Sequence, residues 1–509
     1  MSKSVYLVNP ASDFPTYFSA EAFGLIGKPA TLMADLAIPT IAAMAPGNFN
    51  VELCDQNISP VDFDVDVDFV GITGKITQWG QMARIAREFR SRGKVVLIGG
   101  PYASLCPEVA RPYCDILVRG EMEDIAGQLF SDLGTGSWKD EYVGNRPELD
   151  RSPIPAWSKY RNDRAIMGTL QTSRGCPFEC EFCDVIQYLG RKQRHKPIDQ
   201  VLQELDVLYR YGYRSVFLAD DNFTSSRGRA KELLAALQYW NRRQEKGRVS
   251  FTTQLSIDAA KDEELLQMCA DAGLTHVFIG IETPNEDSLR ETRKRQNLGI
   301  SLSQQVQRFL DKGIAVTGGM IVGFDSDGPD IFERQYEFAM SMPIPIFSLG
   351  ALVAPAATPL HDRMAKEGRL FDDGAEVAAM PWSTNIVPRQ MTRQRLLDGT
   401  RWLCNKLYDP QAFAERCLHF IEKLGELRHG RPAQERTHPG ELRGVDLDSL
   451  EVLASVPQLG PQEKVMWSRI TRAAAGQRDK QEHVVGSLLR YMQIRHMYDL
   501  GQLWEPQFS

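Results

Sequence analysis

At its most informative point the chain reads Gln171-Thr172-Ser173-Arg174-Gly175-Cys176-Pro177-Phe178-Glu179-Cys180-Glu181-Phe182-Cys183. Three cysteines fall within eight residues there, with the spacing C-x3-C-x2-C. Cysteine thiolates are the usual ligands of iron–sulfur clusters, and three on one tight loop can bind three corners of a cubane. No fourth cysteine lies nearby, so one iron stays open for a cofactor or substrate, as in reactive metal sites. The motif therefore predicts Cys176, Cys180 and Cys183 as the metal ligands and catalytic centre.

Two other interpretations of the three cysteines stay open at this point. They could be buried thiols, or they could bind zinc with a distant fourth ligand such as His195, twelve residues after Cys183. Zinc sites usually combine paired C-x2-C knuckles or add histidines, so the iron–sulfur interpretation is favoured. The other six cysteines are scattered and are interpreted as small buried residues of a reducing compartment, at positions 54, 106, 114, 269, 404 and 417.

The cysteine loop follows the first of six predicted strands that alternate with helical patterns. The strands are expected at Thr169–Ser173, Ser215–Ala219, Ser250–Leu255, His276–Ile281, Ala315–Val322 and Ile346–Val353. Helices are expected between them, for example at Ile198–Tyr211, Arg227–Arg243, Asp262–Ala272 and Leu302–Lys312. Six βα units are fewer than the eight of a closed barrel. The pattern therefore predicts an open, partial (β/α)6 barrel over residues 166–370.

Residues 1–135 show a separate alternation of short apolar strands and helices. Strands are expected at Ser4–Val8, Val51–Cys54, Asp68–Thr73, Val95–Gly99 and Ile116–Val118, with a helix at Gln78–Arg92. This alternation is typical of a doubly wound parallel sheet in a Rossmann-like α/β domain. Ligands of such sheets bind at the carboxyl ends of the strands, which here carry Thr73-Gly74-Lys75, Gly99-Gly100 and Gly120-Glu121.

The remaining segments differ in composition. Residues 136–165 belong to a stretch rich in Gly, Pro and Trp and are predicted to be a linker. Residues 371–509 are predicted to be mainly helical, at Thr392–Lys423 and Pro461–Leu500, with a loop at Gly425–Gly444.

Charge and composition exclude some classes of function. The net charge of −7 does not favour a nucleic-acid partner. The chain has no run of about 18 apolar residues and no secretory signal, so we expect no membrane span and a cytoplasmic location.

The cysteine loop and its strand context resemble the radical S-adenosylmethionine (SAM) superfamily over residues 169–368. The resemblance implies a [4Fe-4S] cluster whose open iron binds the amine and carboxylate of SAM. It also implies that an external electron donor, such as a flavodoxin or ferredoxin, drives cleavage of SAM to a 5′-deoxyadenosyl radical. Cofactor contacts are implied at successive strand ends, by Phe182, Asp220, Ser256, Glu282, Ile321 and Gly323.

The N-terminal pattern resembles the cobalamin-binding domains of radical SAM enzymes. The resemblance implies cobalamin contacts by Thr73, Gly74, Lys75, Gly99, Gly100, Gly120 and Glu121. Small residues at such turns let a large cofactor approach the backbone. Residues 1–150 depart from the best-known cobalamin signature because they contain no histidine to bind cobalt from below. Candidates to replace it are Lys75, Thr77 and Gln78.

Motifs further along the chain are similar to the hopanoid methylases and the bacteriochlorophyll side-chain methyltransferases. They are Gly319–Asp327, Ala357–Met364, Ser383–Met391 and Leu407–Pro410. This resemblance implies cobalamin-dependent methylation of an unactivated carbon in a small-molecule substrate, which in those families is large and apolar.

Three alternatives remain for the function. The first is a cobalamin-free or non-methylating radical SAM enzyme with a vestigial N-terminal domain, which catalyses a cyclisation, a rearrangement or the transfer of another SAM fragment. The second is methylthio transfer, which is disfavoured because it needs three N-terminal cluster cysteines, and Cys54, Cys106 and Cys114 are interpreted as core residues. The third is a non-catalytic cobalamin sensor, against which the complete cysteine triad argues.

Overall fold

A computed structural model describes residues 2–371, 380, 382–425 and 443–505. Its strands are β1 (Lys3–Asn9), β2 (Thr31–Met33), β3 (Phe49–Asp55), β4 (Phe69–Thr73), β5 (Val95–Gly99), β6 (Ile116–Arg119), β7 (Glu141–Val143), β8 (Ala165–Leu170), β9 (Ser173–Arg174), β10 (Arg194–His195), β11 (Ser215–Leu218), β12 (Ser250–Gln254), β13 (Leu274–Glu282), β14 (Ala315–Val322) and β15 (Phe347–Ala351).

The helices of the described residues alternate with these strands and then continue without them. They are α1 (Ala37–Met44), α2 (Trp79–Ser91), α3 (Pro101–Leu105), α4 (Pro107–Ala110), α5 (Ala126–Thr135), α6 (Val185–Tyr188), α7 (Ile198–Arg210), α8 (Arg227–Arg242), α9 (Glu263–Ala272), α10 (Glu286–Glu291), α11 (Leu302–Asp311), α12 (Ile331–Ser341), α13 (Pro359–Lys366), α14 (Arg393–Tyr408), α15 (Pro410–Lys423), α16 (Gly444–Ser455), α17 (Pro461–Ala474) and α18 (Arg478–Leu500).

The first sheet is parallel and has the strand order β3-β1-β4-β5-β6-β7. Both of its faces are covered: Val5 and Leu7 on β1 belong to one apolar cluster, and Tyr6 and Val8 belong to another. The five strands predicted here are confirmed, with bounds that shift by at most two residues. The direction of strand addition reverses between β1 and β4, and ligands of doubly wound sheets bind at such a switch point.

The second sheet is also parallel, with the order β15-β14-β13-β12-β11-β8-β2, and it curves into a half-barrel. Along β11, β12 and β13, buried residues such as Leu218, Phe251 and Val277 alternate with half-exposed ones. The buried set packs against the surrounding helices, because successive side chains of a strand point to opposite faces. The other set lines the concave face, which we call the barrel interior. The α/β fold class is confirmed, and so are the six predicted barrel strands, although the first, β8, begins four residues before the predicted Thr169–Ser173.

Two short strands differ from the sequence-based expectations. β2 lies in the N-terminal segment but pairs with β8, so it adds a seventh strand to the barrel sheet. β7 lies in the predicted linker but pairs with β6 and extends the first sheet. Each has only three residues, which is too few for an alternation of apolar and polar positions to be recognised.

The C-terminal region is helical, as expected, within the described residues. The helix predicted at Thr392–Lys423 is two helices, because the Asp409 carboxylate caps a new helix that begins at Pro410. The loop predicted at Gly425–Gly444 lies, apart from its ends, outside the described residues. Across the described part of the chain, we find no helix whose length and apolar character suit a bilayer crossing.

Candidate active site

The cysteine loop leaves the barrel sheet directly after β8 and β9. Cys180 is buried, and Cys176 and Cys183 are half-buried. Gly175 enters the loop with φ +96°, a conformation that side chains disfavour, and a Cβ there would lie 2.6 Å from the Lys192 carbonyl oxygen. The Cys176 amide donates to the Gly190 carbonyl at 3.2 Å. The glycine therefore allows the sharp turn that presents the first cysteine.

Burial keeps the free thiols protonated. It raises the pKa of Cys183 to about 12 and raises the pKa of Cys176 as well. A bound metal reverses this preference, because coordination deprotonates a thiol. The donor set of three thiols therefore fits a cluster that carries its own positive charge.

The geometry of the loop bears on the zinc alternative. Among the described residues, no group of three His, Cys, Asp or Glu side chains is arranged around a single metal-ion position. His195 pairs instead with Ser173 across the β9–β10 ladder. Ligands of a cubane bind different irons, so three cysteines that do not converge on one point suit a cluster better than a single zinc ion.

Two aspartates at the end of β11 hold the chain that leads into the loop. The buried Asp220 carboxylate accepts hydrogen bonds from the amides and hydroxyls of Thr172 and Ser173. Asp221 accepts from the Gly175 amide at 2.8 Å. Asp220 was expected to contact the cofactor, but its oxygens are occupied by the loop. We therefore assign it a positioning role.

Ion pairs connect the loop to the N-terminal sheet. The Glu121 carboxylate lies 2.5 Å from both Arg174 Nη1 and Arg194 Nη2, and all three side chains are largely buried. Glu121 was predicted to contact cobalamin. Its side chain instead holds the residue two positions before Cys176, so only its backbone is left for that role.

A second ion pair connects the loop to the helices that follow the barrel. Glu181, between Cys180 and Phe182, accepts a bidentate pair of hydrogen bonds from Arg363 at 2.7 and 2.9 Å. Arg363 lies on α13 and also pairs with Asp325. Bidentate Arg–carboxylate pairs fix geometry as well as charge. The loop is therefore held by the first sheet through Glu121 and by α13 through Arg363.

Glu282, predicted as a cofactor contact, forms a buried ion pair at the end of β13. Its Oε1 lies 2.6 Å from Lys294 Nζ, and its backbone adopts φ +67°. Gly280 makes room for this pair, because a Cβ there would clash with both charged groups. Burial opposes the charge on Lys294, but Glu282 and the nearby Cys180 and Cys183 raise its pKa overall. The pair places a cation and an anion beside the cluster cysteines.

The other residues predicted to bind SAM surround the same space. Asn222 Nδ2 donates to Ser256 Oγ at 2.7 Å, and the buried Asn222 Oδ1 has no hydrogen-bond partner. That orphaned oxygen can accept a hydrogen bond from a ribose hydroxyl, so the residues fit the nucleoside of SAM. Phe182 and Ile321 pack on one apolar cluster that contains Phe324 and Leu352.

Gly323 directly follows β14, and a hydrogen bond to Asp327 stabilises its backbone conformation. It has φ +104°, and its amide donates to Asp327 at 2.9 Å. A Cβ there would lie 2.6 Å from a methyl carbon of Leu396. The position therefore requires glycine for packing as well as for conformation.

The residues predicted to bind cobalamin line the carboxyl edge of the first sheet. Gly100 has φ +89° and packs so closely that its Cβ would lie 2.5 Å from Thr73 Oγ1 and 3.0 Å from the Gly74 amide. Gly120 has φ +74° and turns against Gly144, whereas Gly99 packs on Val118. The edge is therefore formed by tightly turned backbone.

The candidates for a lower cobalt ligand are not equivalent. Gln78 Nε2 donates to Asn9 Oδ1 at 2.9 Å, and its Oε1 accepts from the Lys75 amide, so both ends of the amide are engaged. Gln78 therefore closes the switch point between β1 and β4 and is a poor candidate ligand. Lys75 is exposed and Thr77 is half-exposed, so these two remain as candidates.

The N-terminal cysteines do not form a second cluster site. Cys54, Cys106 and Cys114 are 3%, 4% and 6% exposed and belong to the apolar cluster on one face of the first sheet. Their interpretation as core residues is confirmed, and this removes the ligands that methylthio transfer would need.

Sequence reasoning missed the charged residues that hold the site. The cations that hold the site are not distinguished in the sequence from the basic residues around them, and their acidic partners lie 12 to 182 residues away; they are Lys294, Arg174, Arg194 and Arg363. The only local signal is Glu181, an acidic residue between two cysteines of a loop that becomes buried.

Comparison with known proteins identifies relatives of most of the chain. The model of the radical SAM superfamily matches residues 170–339, and a domain of unknown function, DUF4070, matches residues 358–499. An uncharacterized methyltransferase of Synechocystis sp. is 33% identical over 81% of this chain and 77% of its own length. The hopanoid C-2 methylase of Rhodopseudomonas palustris is 34% identical over 71% of this chain and 70% of its own length.

A further relative and a solved structure extend the comparison. The bacteriochlorophyllide d C-12(1)-methyltransferase of Chlorobaculum tepidum is 27% identical over 74% of this chain and 83% of its own length. The radical SAM methyltransferase TsrM of Kitasatospora setae, solved with cobalamin and a [4Fe-4S] cluster bound, superposes with a TM-score of 0.59. The superposition covers 93% of this chain and 99% of TsrM at 16% sequence identity, so it establishes a common fold.

Proposed function

Because the chain belongs to the radical SAM superfamily, alongside the hopanoid C-2 methylase, we propose that it methylates an unactivated carbon of a small molecule in a cobalamin-dependent reaction. Two of its relatives are named as methyltransferases of hopanoids and of bacteriochlorophyllide d. TsrM, which has the same fold, was solved with cobalamin and a [4Fe-4S] cluster bound, and the proposed reaction needs both. Unactivated C–H bonds have no useful acidity, so the cofactors and not acid–base residues carry this chemistry.

The observation that carries the proposal is that the predicted cobalamin edge faces the cysteine loop. α3, which follows the edge residue Gly100, packs against α6, which follows Cys183. Burial raises the pKa of the Asp184 carboxyl, and the positive charge of Lys75 on the edge is close enough to oppose this rise. A cofactor held at the edge would therefore lie beside the one that the cluster binds.

The chain's own residues bind and orient the cofactors. The cluster and SAM supply an organic radical when bound, and cobalamin supplies the methyl group. Lys294 and Glu282 offer opposite charges for the carboxylate and amine of SAM, and Asn222 with Ser256 offers hydrogen bonds for its ribose. Phe182 and Ile321 contribute an apolar surface for the adenine, and the surrounding burial excludes water from reactive species.

The test is product analysis with a labelled methyl donor. Anaerobically purified protein, reconstituted with its cluster and methylcobalamin and reduced by a flavodoxin, is incubated with extract of a strain that lacks the gene. SAM with a trideuterated methyl group should yield a labelled product that is absent with the Cys183→Ala variant. The matched control is Cys114→Ala, which removes a buried core thiol and should keep the activity.

Deoxyadenosine formation without a labelled product would contradict the methylation proposal and favour the non-methylating alternative. Full biological activity of the Cys183→Ala variant in cells would instead favour the cobalamin sensor.

A further inference from the structure

Polar side chains line the barrel interior on three strands of the second sheet. Thr252 and Gln254 on β12 and Ser348 on β15 are half-exposed. None of these three side chains has a hydrogen-bond partner in the described part of the chain. Thr169 Oγ1 on β8 is buried and also without a partner. Small-molecule sites fix the orientation of a ligand with a few placed polar groups, so these groups suit a substrate with hydrogen-bonding atoms of its own.

The interior ends at an aromatic and cationic group of side chains. Phe18, from the segment after β1, packs edge-to-face on Phe278 of β13 with 5.3 Å between the ring centroids. The Arg490 guanidinium of α18 lies 5.3 Å from the centroid of Phe18, and its Nη1 donates to the Tyr17 carbonyl at 2.5 Å. We call Phe18, Phe278 and Arg490, together with His276, the barrel floor.

Arg490 is a cation that lacks a counter-ion among the described residues. No Asp or Glu among the described residues pairs with it, and the backbone of Tyr17 is its one hydrogen-bond acceptor there. Burial lowers its pKa to about 10, so it stays charged at neutral pH. Arg490 is half-buried, a charge withdrawn from water without a partner is costly, and an arginine fork matches the oxygens of a carboxylate or phosphate.

The other titratable groups near the floor do not neutralise this charge. His276 Nε2 lies 2.7 Å from Thr317 Oγ1, and burial, His483 and Arg490 lower the pKa of His276 to about 3. Burial lowers the pKa of His483 to about 4. Both imidazoles are therefore neutral, and Arg490 supplies the single positive charge of the floor.

We propose that Arg490 binds an anionic group, a carboxylate or a phosphate, of the substrate, and that the substrate is a polar organic anion that extends along the barrel interior. The proposal rests on the function proposed above, and it adds that the small molecule carries an anionic group.

The length of β13 sets the distance between the two ends of this substrate. Phe278 at the floor and Glu282 beside the SAM residues are four positions apart on one strand. Because β13 bulges between Gly280 and Glu282, this stretch spans only three positions of β14, which at about 3.3 Å per residue is about 10 Å. The anionic group and the methylated carbon should therefore lie on the order of 10 Å apart, allowing for the space that SAM occupies.

The first test measures anion binding without turnover. The cluster-loaded full chain is titrated with inorganic phosphate and, separately, with sodium acetate, at constant ionic strength, and the thermal midpoint is recorded. We expect at least one of the two anions to raise the midpoint of the wild-type chain and of the control Arg472→Gln, an exposed arginine of α17. Arg490→Gln should lose the response, and Arg490→Lys should keep part of it. The more effective anion identifies the chemistry of the group.

A response of Arg490→Gln equal to that of the wild type would overturn the proposal, and so would the absence of any wild-type response to both anions. Because this test needs no methyl transfer, it separates failure of the anion site from failure of the proposed function.

The second test uses the labelled product of the methylation assay. That product should be retained by an anion exchanger at neutral pH. Arg490→Gln should raise the KM on the order of tenfold to a hundredfold with a smaller effect on kcat, since it removes a charged hydrogen bond made by bound substrate. A neutral labelled product with unchanged KM would overturn the anion site while leaving methylation established.

Discussion

For some residues at the cysteine loop, spacing in the sequence is enough to predict a role, and for others it is not. The three cysteines stay predicted cluster ligands, and the sequence supports this prediction because a cluster fixes both the type and the spacing of its ligands. The ion-pair roles of Lys294 and Arg363 could not be predicted, because an ion pair between distant residues leaves no periodic pattern. Asp220 was located correctly at a strand end, but its role as the holder of Thr172 and Ser173 depends on the folded loop.

The prediction at this scale concerns Gly175. An alanine there has to adopt φ +96° with its Cβ 2.6 Å from the Lys192 carbonyl, which costs on the order of 1–3 kcal/mol in strain. We expect Gly175→Ala to lose most of the iron and inorganic sulfide that the wild type retains. The control is Gly93→Ala, with φ +75° and no atom within 4 Å of the added Cβ. Equal iron content in both variants would argue against a positioning role for Gly175.

At the scale of the element, the long strands and helices could be predicted from periodicity, and the short ones could not. β14 has the predicted bounds of Ala315–Val322, because eight residues carry a clear strand signal. β2 has three residues, and its partner β8 lies more than 130 positions later in the chain. Tertiary pairing therefore decides such a strand, and local sequence does not.

The element-scale prediction tests whether β2 is an integral part of the barrel sheet. The Ala34 amide, directly after β2, donates to the Met167 carbonyl of β8 at 2.9 Å. Ala34→Pro removes this donor and leaves the Met167 carbonyl unpaired, which should destabilise the chain by about 1–3 kcal/mol. Ala34→Gly keeps the amide without adding a polar group to the buried core and serves as the control. Hydrogen exchange at residues 165–170 should accelerate in the proline variant alone; unchanged protection there would mean that β2 does not stabilise β8.

At the scale of the whole molecule, buried charges connect the three regions at one loop. Glu121 reaches Arg174 from the first sheet, and Arg363 reaches Glu181 from the helices after the barrel. The aromatic residues of the C-terminal helices have a different role. Phe413, Phe420 and Tyr491 are at most 1% exposed, so they form core and do not line an apolar substrate cavity.

The prediction for the whole molecule concerns Glu121. Glu121→Gln leaves the buried Arg194 facing a neutral amide, whereas Arg174 keeps its ion pair with Glu123 at 2.8 Å. Loss of one partner of a buried ion pair costs about 2–5 kcal/mol. We expect a lower unfolding midpoint and faster proteolysis between the first sheet and the barrel. Glu141→Gln, which breaks the exposed pair with Arg119, should change stability by about 0–1 kcal/mol. Indistinguishable midpoints for the two variants would contradict the role assigned to Glu121.

The pair between Glu181 and Arg363 also sets an order of events during synthesis. The two residues are 182 positions apart. A ribosome that adds about 5–20 residues per second needs roughly 10–40 s to pass from one to the other. The cysteines therefore leave the ribosome well before the arginine that anchors their loop has been made. If the three cysteines hold the predicted cluster, we expect stable insertion of iron to follow the synthesis of α13, and the three thiols to stay unprotected until then.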